Sequence, residues 1–191
     1  MARDSFTTPF KEPPWVRFLV ADTRSAPLWF VLRIWLGWQW LTAGLGKVGR
    51  PGWTGADAGA AVRSFLNAAL LRAQGPRPDV QPWYAFFLEQ VALPNARLFA
   101  YLVAYGELLV GIALILGLLT GIAAFVGSFI NMSFLLAGTV STNPILFAVA
   151  TWLVLAWRVA GWYGLDRWAL PALGTPWDPG SLFLKEEVRR D

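Results

Sequence analysis

The stretch FAYLVAYGELLVGIALILGLL, residues 99–119, is apolar enough for lipid yet carries a carboxylate, Glu107, near its middle. A charge at mid-bilayer costs about 2.5–3.5 kcal/mol on insertion scales, so an ionisable residue there is a functional candidate by default. Other polar side chains interrupt apolar stretches in the same way: Arg33, Gln39, Asn131, Thr151 and Arg158. At ~1.5 Å per helical residue, Glu107 stands about 18 Å from the inner end of its stretch, and Gln39, Asn131 and Thr151 stand about 16–18 Å from the inner surface. Arg33 and Arg158 fall on the inner side of that layer, about 7 Å from the ends of their own segments. An arginine offers a fork of donors to an oxyanion or a quinone carbonyl. A carboxylate passes a proton when its pKa is matched to the task. Glu107 is therefore the catalytic candidate, and Arg33, Arg158, Gln39, Asn131 and Thr151 are the candidates for holding a quinone or other substrate. The same residues admit a plainer reading. Glu107 paired with Arg33 or Arg158 would serve only helix register, with Asn131, Thr151 and Gln39 as packing polars. The residues alone leave both readings open.

Helical spacing tests whether these groups face inward. Ala100, Ala104, Gly111 and Leu114 share the face of Glu107, and Ala124, Gly127, Ser128 and Gly138 share that of Asn131. Small residues mark helix–helix contact in lipid, because they let backbones approach. Both polar residues are thus expected to point into a bundle. Arg33 shares a face with Gly37, Trp40, Gly44 and Lys47, and Lys47 is placed to snorkel at the far end of its segment. Gln39 is rotated away from that face. Arg158 shares one with Thr151, Leu155 and Trp162. Trp29, Trp162 and Tyr163 read as interfacial belt residues.

Four apolar segments must hold these groups: about 27–48, 98–119, 121–140 and 144–163. Tight turns, TG at 120–121 and STNP at 141–144, join the last three. A polar leader, 1–26, holds a short interfacial helix at 15–21. The long connection 49–97 is too polar to cross a bilayer. Within it, 55–73 spaces Val62, Phe65, Leu66, Ala69 and Leu70 at helical intervals, and 83–93 forms a second short helix on the membrane surface or over the bundle. The four-span domain runs over 27–166, and 167–191 is a polar tail. The fold class is all-α, an integral membrane four-helix bundle with amphipathic helices in the connection between spans 1 and 2.

Composition agrees. Of 191 residues 56% are hydrophobic and 15% charged, against ~25% charged in an average soluble domain. The mean hydropathy is +0.47. There is no cysteine and no histidine, so no haem, metal or iron–sulfur cluster is expected in this chain. Any electrons must be carried by another chain or by a diffusible organic cofactor. The formal net charge of +4 decorates loops and termini, and no basic patch interleaved with aromatics points to nucleic acid. Eight Lys and Arg flank the spans in the leader and tail, against five in the 49–97 connection. That excess favours both termini on the cytoplasmic side of a plasma membrane.

Three motifs carry a resemblance. In LRIWLGWQWLTAGLGKV, 32–48, Arg33, Gly37, Gly44 and Lys47 stand at set intervals; in GELLVGIALILGLLTGIAA, 106–124, so do Glu107, Gly111, Leu114, Gly117 and Thr120; WYGLDRW, 162–168, closes the series with Asp166. Their order and spacing over roughly 28–170 resemble the DoxX/DoxD-like membrane proteins. The resemblance implies a four-helix membrane bundle of prokaryotic inner membranes. It further implies kinship with the membrane subunit of thiosulfate:quinone oxidoreductase, acting on a diffusible quinone beside a partner subunit. Arg33, Glu107 and Asp166 are the motif positions it singles out. A second function remains open, that of a non-catalytic accessory subunit of a respiratory or photosynthetic complex. A carrier is a third, disfavoured by the lack of inverted repeats or broken helices.

Overall fold

The computed structural model describes residues 12–174, so Arg3, Lys11 and the tail basic residues Lys185, Arg189 and Arg190 lie outside it. Proline and glycine punctuate the chain. Helix α1 is Pro14–Ala21, with Pro in its first turn, where a missing N–H costs nothing. Helix α2 is Ala26–Leu45, likewise opened by proline. Helix α3 is Ala60–Arg72. Helix α4, Pro82–Phe87, runs on into a π-turn over Leu88–Ala92. Helix α5 is Ala96–Leu116, α6 is Thr120–Leu136 and α7 is Asn143–Leu155. Beyond them lie α8, Trp157–Ala160, and α9, Asp166–Leu173. All regular structure among the described residues is helical.

Helices α2, α5, α6 and α7 form an antiparallel bundle. Its core holds Leu36, Trp40, Leu114, Ala124 and Leu153, all buried. The outward faces are apolar too: Leu102, Leu109, Ile122, Phe125, Phe129 and Trp152 are exposed. Apolar residues inside and outside are what a bundle needs in lipid. Helix α5 alone among the described helices is long and apolar enough to cross a membrane by length and composition; α6 and α7 are shorter apolar helices.

Three differences from the sequence expectations have physical causes. The fourth segment is not one helix: it breaks at Ala156, and Trp157 then packs over Gly121 at the start of α6, where a Cβ would stand 2.6 Å from that of Trp157. The start of the tail folds into α9, although the sequence reads as polar chain. Trp29 is buried rather than at an interfacial belt, and its Nε1 donates to Leu19 O at 2.8 Å, fastening α1 to the bundle.

The connection builds a second core. Val62, Leu66 and Ala69 of α3, Tyr84 and Leu88 of the α4 region, and Ala96 and Ala100 of α5 bury one another. Tyr84 Oη donates to Ser133 O at 2.9 Å and Arg72 Nη2 to Ala137 O at 2.9 Å. The N-terminal part of α5 is thus wrapped by its own connection, and the apolar stripe of α3 is spent on protein contacts.

Helices α2 and α5 approach most closely. Their seam is glycine: a Cβ on Gly44 would lie 2.5 Å from Leu108 N, one on Gly37 3.0 Å from Leu114 Cβ, and one on Gly111 would strike the backbone of Leu41. Gly44→Leu is expected to destabilise at the upper end of the about 1–3 kcal/mol typical of overpacking, read as a fall in thermal midpoint in detergent. Gly106→Ala meets only Ile130 Cδ1, at 3.4 Å, and should stabilise by up to roughly 1 kcal/mol through helix propensity.

Candidate functional site

The polar residues do not line one site. They divide between the two ends of the bundle.

At the end where α2 begins and α5 stops, Arg33 is fully buried. Its Nη1 donates to Leu114 O and, at 3.0 Å, to Ile115 O; its Nη2 donates to Tyr163 O at 3.0 Å. It therefore caps carbonyls at the C-terminus of α5, where a cation is favoured. Gly117 ends that helix at φ +64, and Leu118 N donates back to Ala113 O at 2.9 Å, a closure that favours glycine. Leu119 follows at φ +48, a left-handed conformation that a branched residue avoids. Asp166 holds it there, accepting from Leu119 N at 2.5 Å and Thr120 N at 2.9 Å. Asp166 is 3% exposed and sits within electrostatic reach of Arg33. Arg33, Gly117, Thr120 and Asp166 are thus a latch joining three chain segments, and every Arg33–protein contact is a structural one.

At the other end, Glu107 pairs with Lys47, not with an arginine. Lys47 Nζ stands 2.5 Å from Glu107 Oε2 and 3.3 Å from Ala43 O, and lies 5.1 Å from the centre of the Trp53 ring. Glu107 is 2% exposed. The register of the glycine seam dictates this: Gly44 meets Leu108, so Lys47, about one turn on, arrives at Glu107. Arg33 meets α5 seven residues further along, about 10 Å away at helical rise. Ala100, Ala104, Gly111 and Leu114, on the face of Glu107, are all buried, as that face requires.

The ion pair opens into a cavity of ≈ 340 Å³ bounded by α2, α3, α6 and the α6–α7 turn. Asn131 forms part of its wall, fully buried; Gln39, otherwise exposed, also lines it. Trp40, Phe65 and Phe134 add flat apolar surface, and Thr139 and Asn143 add polar groups. Asn131 Nδ2 and Oδ1 and Trp40 Nε1 are buried and have no hydrogen-bond partner among the described residues.

Of the six residues expected at one site, Glu107, Asn131 and Gln39 come together. Arg33 belongs to the latch. Arg158 is exposed and stacks on Trp157 at 5.6 Å. Thr151 donates to Phe147 O in its own helix at 2.8 Å and does not reach the cavity. Lys47 and Trp40 are the members that sequence reasoning missed. Both stood on the Arg33 face of the first segment, but one read as a snorkelling end and the other as bulk. A larger groove of ≈ 860 Å³ lies at the latch end, lined by Phe30, Tyr163 and Trp168, with Arg167 as its one charged member among the described residues. Convergent polar groups in a partly apolar pocket favour the smaller cavity as the candidate site.

No curated protein and no solved structure matches the chain. The DoxX family profile matches residues 28–141, which hold Arg33, Lys47, Glu107 and Asn131 and stop short of Arg158 and Asp166. With a helical bundle of apolar outer faces and more than half of its length matched by that profile, the chain belongs to the DoxX family of membrane proteins.

Proposed function

We propose that this protein is the membrane subunit of a quinone-linked oxidoreductase, with the quinone head held in the cavity beside Lys47 and Glu107. The observation that carries the reading is the buried ion pair opening into a chamber walled by aromatics and neutral polar groups. Reduction of a quinone takes two electrons and two protons. The chain has no cysteine or histidine, so a partner subunit delivers the electrons, taken from a sulfur oxyanion such as thiosulfate. The Lys47 ammonium donates to the quinone oxygen as negative charge develops on it, and Glu107 relays protons to the two oxygens.

Helices α2, α5, α6 and α7, the last continued by α8, serve as four membrane passes in a prokaryotic inner membrane. The first and last described helices, α1 and α9, both adjoin the latch end, through Leu19 O and Asp166. With the termini cytoplasmic, the cavity then lies toward the outer leaflet and receives its partner and its protons there.

The experiment is a Glu107→Gln variant in native membranes supplied with thiosulfate. Loss of a positioned proton carrier should lower quinone reduction by about 10²–10⁴-fold, while purified protein keeps its elution profile and its extractable quinone. Unchanged turnover would instead favour a non-catalytic accessory subunit, a reading supported by the purely structural use of Arg33 and Asp166.

A further inference from the structure

The cavity carries no net charge. Lys47 and Glu107 are its only charged lining residues among those described, and they lie 2.5 Å apart. An anion brought to Lys47 would meet the Glu107 carboxylate at the same point, so the cavity offers an oxyanion no unopposed cation. The groups left to recognise a ligand are neutral. Trp40 Nε1 is a donor only, and the amide of Asn131 supplies both a donor and an acceptor. Both side chains are at least nine-tenths buried, both line the cavity, and none of these three atoms is bonded to another described residue. A buried polar group without a partner is costly, and of the seven such atoms among the described residues only these three belong to side chains that line the cavity.

We infer that Trp40 and Asn131 form a neutral subsite that binds an uncharged ring through its carbonyl or hydroxyl oxygen, and that the cavity excludes oxyanions. The inference rests on the quinone reading for the identity of the ring but not for its neutrality. Asn131 suits both oxidation states. Its Nδ2–H donates to the carbonyl of the oxidised ring, and its Oδ1 accepts from the hydroxyl of the reduced one. Trp40 Nε1–H donates to the ring oxygen in either state. An oxyanion reductant must therefore be bound by another chain.

The test is equilibrium binding to the full chain purified in mild detergent. The probes are menadione, its quinol, benzamide as a neutral redox-inert ring, and sodium sulfate and thiosulfate as competitors. Wild type should bind the neutral probes, and millimolar sulfate or thiosulfate should not displace them. Trp40→Phe and Asn131→Leu should each weaken neutral binding about tenfold, the worth of one good hydrogen bond. Trp40→Phe also leaves a void in the core and should lower the thermal midpoint, whereas Asn131→Leu removes an unpartnered buried amide at nearly constant volume, so its thermal stability without ligand should hold or rise. A merely structural role would instead lower stability in both variants and leave affinity alone. Benzamide binding that depends on Trp40 and Asn131, without binding of menadione or its quinol, would uphold the neutral subsite and remove the quinone. Displacement by the anions, no binding of any neutral probe, or wild-type affinity in both variants would overturn the inference.

Discussion

Arg33→Met is expected to destabilise the protein by about 3–5 kcal/mol, the range for removing one member of a buried charged network. The substitution strips the donor from Ile115 O and Tyr163 O, and one of two from Leu114 O, which keeps Gly117 N at 3.2 Å. Each buried acceptor left unpaired costs about 1–3 kcal/mol. It also leaves Asp166, 3% exposed, without the cation near it. Asp166 then holds the strained Leu119 turn alone. Lysine should not rescue it, because one ammonium cannot reproduce a planar fork that reaches three carbonyls on two segments. Arg158→Met is the control. Arg158 is exposed and only stacks on Trp157, so its loss should stay within roughly 0.5 kcal/mol. Thermal midpoints in one detergent, with yield from membranes, measure both. Equal stability of the two variants would show that the latch does not hold the fold.

The second large effect is at the ion pair. Lys47→Met leaves the carboxylate of Glu107 buried with no cation, which costs about 3–5 kcal/mol when one partner of such a pair is removed. Glu107→Gln alone should cost less, because Lys47 is 19% exposed in its side chain and can turn toward water. The double variant Lys47→Met/Glu107→Gln should recover most of the stability lost in Lys47→Met, since replacing both members of a buried pair is often neutral. The three midpoints and wild type make a double-mutant cycle. A double variant as unstable as Lys47→Met would mean that the lysine acts chiefly by capping α2 through Ala43 O and packing on Trp53. Whatever its stability, the double variant should lack quinone reduction if the pair moves the protons.

Much of this architecture was legible from residue types. Apolar segments of about twenty residues, small residues at helical spacing and proline at helix starts follow from local chemistry that neighbours rarely override. The inward turn of Glu107 and Asn131 was legible for that reason: Ala100, Ala104 and Gly111, and Ala124 and Gly127, lie on their faces and are buried. The site was only half legible. Counting depth along each helix assumes a common origin for all of them. The glycine seam instead sets Gly44 against Leu108 and Gly111 against Leu41, which shifts α5 against α2. Glu107 then falls at the end of α2, beside Lys47, and not opposite Arg33.

The sequence by itself determined the helical class, the family signature, the absence of thiol and imidazole chemistry, and which faces turn inward, because composition and period are properties of a single segment. Only the tertiary structure decided which cation meets the carboxylate. A pairing across helices depends on their register, and that register is set where Gly44 meets Leu108 and Gly111 meets Leu41. The same packing placed Arg33 in a latch at one end and Glu107, Gln39 and Asn131 at a neutral, aromatic-walled cavity at the other. Arg33, which the residue types placed at the ligand, holds three segments together through its two Nη groups, and Lys47 and Trp40 stand in the site it was expected to build.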